Sequence, residues 1–205
     1  MESSVSPSDP GRPVGRGKRM RAAVLEAAVT ELTEVGYAAL TVEGVAQRAG
    51  VHKTTIYRNW TDSDSLVADA IARHFAEDIP VPDTGAVEGD LRELARTLIA
   101  TMATQAGQAL LATVLSDAVR IPRLAEVKNG VFVDRFRRAA VVVTRAVERG
   151  ELPMGTDPAE LLKALAAPIY FRLVFTGEPV DESTAEYAVR IALAAAHARV
   201  LVPPA

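Results

Sequence analysis

The sequence predicts an all-α protein. A three-helix helix-turn-helix head is joined by a fourth helix to a helical-bundle regulatory domain, about nine helices in total. Apolar residues recur at i, i+3, i+4 and i+7 along most of the chain, with no convincing alternating strand and no internal repeat. Glycine and proline fall where helices would stop and start. The stretch from Thr41 to Trp60 reads as two short helices around one tight turn, the second rich in polar and basic residues. These signals divide the chain into a disordered basic arm (1–17), a helix-turn-helix DNA-binding domain (18–62) and a helical effector-binding and dimerisation domain (63–205).

The elements follow in order. Residues 1–10 are Ser, Pro and acidic, without the apolar core of a secretory signal. Residues 11–21 hold Arg12, Arg16, Lys18, Arg19 and Arg21 among Gly and Pro, too little apolar surface to fold alone. Such a segment either follows DNA phosphates and the minor groove or remains a solvated tail. The first helix is expected over 18–35, with Val24, Leu25, Ala28 and Leu32 on one face and Gly36 as its stop. Glu26, Glu31 and Glu34 fall on a face expected to be solvated.

Thr41 is a good N-cap for the second helix. Val42, Val45, Ala46 and Ala49 share its inner face, and small Ala46 lets the third helix cross closely. Gly50 supplies the positive φ that ends it. Val51 plugs the turn and Ile56 points back to the same core. Lys53, Thr54, Tyr57 and Arg58 then face outward, suited to phosphates and base edges. Lys53, Thr54 and Tyr57 are expected nearest the bases, and Thr41, His52, Thr55 and Asn59 nearer the backbone. Arg48 and the arm residues Arg16, Lys18 and Arg19 are further DNA-contact candidates.

These residues carry a resemblance. Ala27, Ala28, Leu32, Gly36 and Tyr37, then Leu40 to Val42, Val45, Ala46, Ala49 to Val51, Thr55 to Trp60 and Leu66 resemble the DNA-binding domain of the TetR family of bacterial transcriptional regulators. The segment from Pro168 to Pro179 resembles one subgroup of that family's regulatory domain. The resemblance implies nine helices in this order. It departs at His52, where the family usually has Ser or Thr as a cap, and at Ser63, where it often has Lys reaching a phosphate. Asp62 and Asp64 flank Ser63, which shifts the burden of phosphate contact toward the arm.

The fourth helix is expected to start after Asp62 and to bury Leu66, Val67, Ala70, Ile71 and Phe75. Pro80, Pro82 and Gly85 mark a break. Helices are expected near 86–105, 107–119 and 123–149, the last stopped by Gly150 and Pro153. Asp157-Pro158-Ala159-Glu160 opens a helix to about Thr176, with an N-cap Asp and Pro at the first helical position. Ser183-Thr184-Ala185-Glu186 opens the last, ending near Leu201. Both final helices are apolar or small around most of their circumference, which predicts burial on two sides and hence a homodimer. Pro168 is placed to kink its helix. Arg172 is expected to pair with an acid across the dimer, or else to reach a ligand carboxylate. Leu98, Met102, Leu111, Leu115, Phe132, Phe136, Tyr170 and Phe171 are the candidates for a pocket taking a small apolar effector, against the alternative that they are plain core.

Composition bounds the function. With 49% hydrophobic and 24% charged residues, the 205-residue chain suits a sizeable core, and without cysteine it has neither disulfides nor thiolate metal sites. Net charge is −3, yet residues 1–60 carry eight Lys/Arg against six Asp/Glu while the remainder carries fifteen against twenty. A basic head on an acidic body fits a protein gripping double-stranded operator DNA at one end. His52, His74 and His197 stand at no metal-ligand spacing, and no P-loop, dinucleotide fingerprint or serine elbow occurs. The expected protein is therefore not an enzyme, has no cofactor or metal, contacts no membrane and works in the cytoplasm. A ligand-responsive repressor is the leading reading; a helical protein-interaction adaptor is the alternative.

Overall fold

The computed structural model describes residues 14–75 and 80–202, at positions 14 and 16 the backbone alone. Its described residues form α1 (Val14–Val35), α2 (Val42–Ala49), α3 (Lys53–Tyr57), α4 (Ser63–Phe75), α5 (Val87–Ala103), α6 (Gln105–Asp117), α7 (Pro122–Glu148), α8 (Pro158–Phe171) and α9 (Glu182–His197), with no strand. The all-α, nine-helix expectation holds. A 3-10 turn at Tyr37–Ala39 and a π-helical turn at Arg172–Thr176 were not legible as such in the sequence.

Boundaries shift where capping chemistry differs from expectation. Helix α1 begins at Val14, so residues 14–17 of the expected arm are helical and Arg16, Lys18 and Arg19 ride on α1. Residues 1–13 lie outside the described part. The last helix is opened by Asp181 rather than Ser183. The Asp181 carboxylate accepts from the Thr184 amide at 3.2 Å, and the Thr184 hydroxyl accepts from the Asp181 amide, a reciprocal capping box. Glu186 of the expected opening pairs with Arg92 on α5. Asp157 caps α8 as expected, accepting from the Ala159 and Glu160 amides. Pro168 lies inside α8 without ending it; the backbone passes into the π-helical turn four residues later.

One apolar core spans the head and continues beyond it. Val24, Leu25, Ala28 and Leu32 of α1 meet Val45 and Ala46 of α2, Ile56 of α3, Trp60, and Leu66, Val67 and Ile71 of α4, all buried. Leu110 and Val114 of α6 and Leu124 of α7 belong to the same cluster. The head is thus seated on the body through shared core, not hung from a linker. A second core joins α5, α7, α8 and α9 through Leu91, Ala95, Val142, Ala146, Leu161, Leu165, Ile169, Ala188 and Ala192.

Two devices set the body's shape. Helices α5 and α6 meet at 88°, and Thr104 is at once the last cap of one and the N-cap of the other. The corner requires Gly107, because a Cβ there would lie 2.1 Å from the Thr101 carbonyl oxygen. The segment before α5 is pinned by fully buried Asp90, which accepts from the Thr84 amide at 2.6 Å and its hydroxyl at 2.9 Å. Arg145 on α7 holds the same segment through Asp83 at 2.6 Å and the Pro82 carbonyl. Among the described residues no single helix is long and apolar enough to cross a membrane.

Candidate DNA-binding surface and ligand cleft

The recognition helix is short, and its orientation is fixed by what surrounds it. Thr41 accepts from the Gly44 amide at 3.0 Å to start α2, and Gly50 ends it at φ 66°. Ile56 and Trp60, both buried, then lock α3 against α1 and α4. Trp60 has a built seat. Its indole N–H donates to Asp69 at 2.9 Å, and Arg21 both pairs with Asp69 at 2.5 Å and lies over the indole ring at 5.3 Å. Arg21, read in the sequence as part of the basic arm, is therefore a clamp inside the head. A parallel tie joins the Tyr37 hydroxyl to Asp64 at 2.5 Å; burial first, then that hydrogen bond, raises the phenol's pKa well beyond its ordinary value.

With the core side of α3 accounted for, His52, Lys53, Thr54, Tyr57 and Arg58 are exposed together on its outer side. His52 stands at the N-cap position but makes no side-chain cap, as its chemistry suggested. Among the described residues Thr54, Tyr57 and Arg58 have no side-chain hydrogen-bond or ion-pair partner. Lys53 is lightly held by Glu43 at 3.2 Å, a bond that lowers the carboxyl's pKa. Such an exposed pair is readily exchanged for a phosphate or a guanine. Thr55 is half-buried, and Asn59 uses its side-chain amide to cap the Thr55 carbonyl at 2.8 Å. Lys18 and Arg19 extend the basic surface along the start of α1, exposed and unpaired among the described residues. The side chain of Arg16 lies outside the described residues.

Arg48 is the clearest departure in the head. It forms ion pairs with Glu31 at 3.0 Å and Glu34 at 2.5 Å on α1. Two of the glutamates expected to be solvated thus buttress α2, and the Arg48 charge is engaged within the head. The signal was present as a +14 and +17 spacing, but only the crossing of α1 and α2 brings the three side chains together.

The body contains two adjoining cavities. The larger has an empty volume of ≈ 850 Å³, including the part open to solvent, and lies between α5, α7, α8 and the end of α4. Of the candidate pocket residues, Leu98, Phe132, Phe136 and Tyr170 line it. Met102 and Leu111 line the smaller one, ≈ 360 Å³, together with Phe132 and Tyr170. Leu115 and Phe171 do not belong there. Both point outward, 45% and 56% exposed, because helical spacing alone could not choose between the inner and outer faces of α6 and α8. Phe171 instead stacks on Phe175, ring centres 5.3 Å apart, on the outer side of α8. Arg172, expected to pair across a dimer, is satisfied within the chain by Glu178 at 3.4 Å, the Thr184 hydroxyl at 2.9 Å and the Tyr187 ring. The sequence reading overlooked Arg135, which lines both cavities.

Comparison with known proteins agrees with this geometry. Residues 24–70 match the family model of bacterial regulatory proteins, tetR family, and residues 81–192 match the tetracyclin repressor-like C-terminal domain. The chain is 31% identical over 182 residues to the DNA-binding transcriptional repressor TetR of Mycobacteroides abscessus, spanning 83% of this chain and 90% of that protein. It is 29% identical over 178 residues to the HTH-type transcriptional regulator AqdR of Rhodococcus erythropolis, spanning 87% and 86%. The crystal structure of the TetR family transcription regulator SCO0332 superposes with a TM-score of 0.70 at 30% identity, covering 86% of this chain and 97% of that one. The helix-turn-helix head, the helical body and both halves of the family match lead to one assignment: the chain belongs to the TetR family, and is a DNA-binding transcriptional regulator rather than an enzyme.

Proposed function

We propose that this regulator is a homodimeric repressor, released from a palindromic operator by a small apolar effector bound in the body. One observation carries the reading. The larger cavity is lined in part by Phe75, the last described residue of α4, whose Leu66, Val67, Ala70 and Ile71 pack in the head's core. A ligand there touches the helix that positions the reader. Binding that favours a displaced α4 shifts the protein toward a DNA-incompetent state, by no more than the ligand's differential affinity for the two states. The relative from Mycobacteroides abscessus is a repressor by name, which favours repression here.

The surface roles follow from exposure. Lys53, Thr54 and Tyr57 read base edges; Lys18, Arg19, His52 and Arg58 take phosphates; Thr41, Thr55 and Asn59 chiefly hold the helix in place. The homodimer uses the outer faces of α8, the turn that follows it and α9, where Phe171, Val174, Phe175, Tyr187 and Ala194 are exposed. Exposed aromatic side chains gathered on two neighbouring elements mark an interaction surface. Paired there, two heads would meet major grooves about 34–36 Å apart. Selection of binding sites from random duplexes tests the whole reading: a palindrome with half-sites one helical turn apart supports it. A single unrepeated site, bound by a monomer, refutes it.

A further inference from the structure

Arg135 sits where the two cavities meet. Its Nε is sealed from solvent and has no hydrogen-bond partner, and among the described residues no carboxylate pairs with it. The neighbouring acid of the cleft, Asp134, is already held by Arg137 at 2.5 Å and Arg138 at 2.7 Å. The contact Arg135 does make is with the face of the Phe75 ring, 4.8 Å away. A ring face attracts the cation but accepts none of the in-plane N–H donors. Burial pushes the guanidinium's pKa down, the mark of a charge held without compensation. The Tyr170 hydroxyl beside it also lacks a hydrogen-bond partner among the described residues, and burial keeps it protonated. Most of the rest of the wall is apolar, Leu98, Phe132, Phe136 and Leu165 among it, with Thr97, Asp134 and Arg138 as its other polar members. The cleft is apolar and aromatic, rich in donors and poor in free acceptors.

We propose that the effector is an aromatic monocarboxylic acid whose carboxylate takes the N–H donors of Arg135 and the Tyr170 hydroxyl, while its ring lies among Phe132, Phe136 and Leu98. This rests on the reading of the cleft as the effector site and names the ligand's chemistry. A planar guanidinium matches a carboxylate with two parallel bonds, and an anion offsets the cost of the half-buried, unpaired charge. A cationic ligand would meet Arg135 as a like charge, and a neutral one would leave its donors half-used. Because Arg135 touches Phe75, neutralising it also alters the contact with the end of α4.

Calorimetry on the full chain tests this with biphenyl-4-carboxylate and 2-naphthoate against their methyl esters. The acids should bind roughly 10- to 100-fold more tightly than the esters, the worth of a charge-assisted bond. Arg135→Met should abolish that preference while keeping ester binding, and should melt at a higher temperature than the native protein because it removes a half-buried, unpaired charge. Arg135→Lys should keep part of the preference. Esters binding as well as acids, a preference surviving in Arg135→Met, or no binding of either acid would each overturn the proposal. Acids that bind with the Arg135-dependent preference but leave the selected operator complex intact would uphold the acid site and remove the effector role from the cleft.

Discussion

The proposed dimer face gives the sharpest quantitative test. Phe175 is 75% exposed on the outer side of the turn that follows α8, stacked on Phe171. A phenylalanine presents roughly 200 Å² of surface, so about 150 Å² awaits cover. A two-fold interface doubles each contribution. Full burial of both copies would remove about 300 Å² of apolar surface from water, near 7 kcal/mol at ~25 cal/mol per Å². Half of that cover is still worth roughly 3–4 kcal/mol, some 200- to 1,000-fold in the dissociation constant. Phe175→Glu deletes the contribution and places two carboxylates in the seam. Sedimentation velocity at micromolar protein should then show monomer, and operator binding should collapse to the weak, sequence-independent affinity of single heads. Val119→Glu, at a still more exposed apolar residue in the α6–α7 turn, is the control and should leave the dimer intact. A Phe175→Glu protein that remains dimeric with native operator affinity would move the interface off α8 and contradict the two-fold argument.

Other expectations follow from the head and the body corner. Replacing Lys18 and Arg19 with Gln should weaken binding to every sequence alike and reduce the log–log salt slope by about 0.9 per lost phosphate contact, as read in binding isotherms at several salt concentrations. Thr54→Val should change preference at one operator position by about 1–3 kcal/mol; uniform weakening across operator variants would assign Thr54 to phosphate contact instead. Gly107→Ala forces a Cβ onto the Thr101 carbonyl and should destabilise the fold by roughly 1–3 kcal/mol in urea melts. Asp62 caps the start of α4, and the Ser65 amide and hydroxyl hold its carboxyl below the usual pKa. A depressed folded value means stability that is present above the unfolded value of about 3.9 and lost as pH falls further. Asp62→Asn should therefore unfold less steeply with acid than the native protein over that window.

What was legible in the sequence was whatever depends on local spacing. The i, i+3, i+4, i+7 rows, the caps Thr41 and Asp157 and the stops Gly36, Gly50 and Gly177 specify helices from neighbours a turn away. What was not legible depends on which helices cross. Arg48 meets Glu31 and Glu34, and Arg21 meets Asp69 and Trp60, only after α1 lies against α2 and α4. The same limit misplaced Phe171 and Leu115, whose apolar character says that they will be covered but not by what. Arg135 escaped notice because a basic residue among Asp134, Arg137 and Arg138 reads as solvated surface; its isolation appears only when α4 and α8 close over α7.

The shared core decides how a signal could travel through this molecule. Leu110, Val114 and Leu124 of the body fill the same apolar cluster as the side chains that seat α3. Close-packed side chains have discrete arrangements rather than a continuum, so a displacement of α4, α6 or α7 cannot be absorbed silently at that junction. Phe75 joins the two ends of this chain of contacts: it packs against the head cluster, lines both cavities and lies under Arg135. On the proposed reading, a ligand that draws Arg135 away from Phe75 would release the end of α4, and the middle of α4 holds Asp69, the residue that fixes Trp60 at the exit of the recognition helix. On that reading the head's orientation and the occupancy of the cleft would be parts of one packing problem, carried by a single helix of thirteen residues.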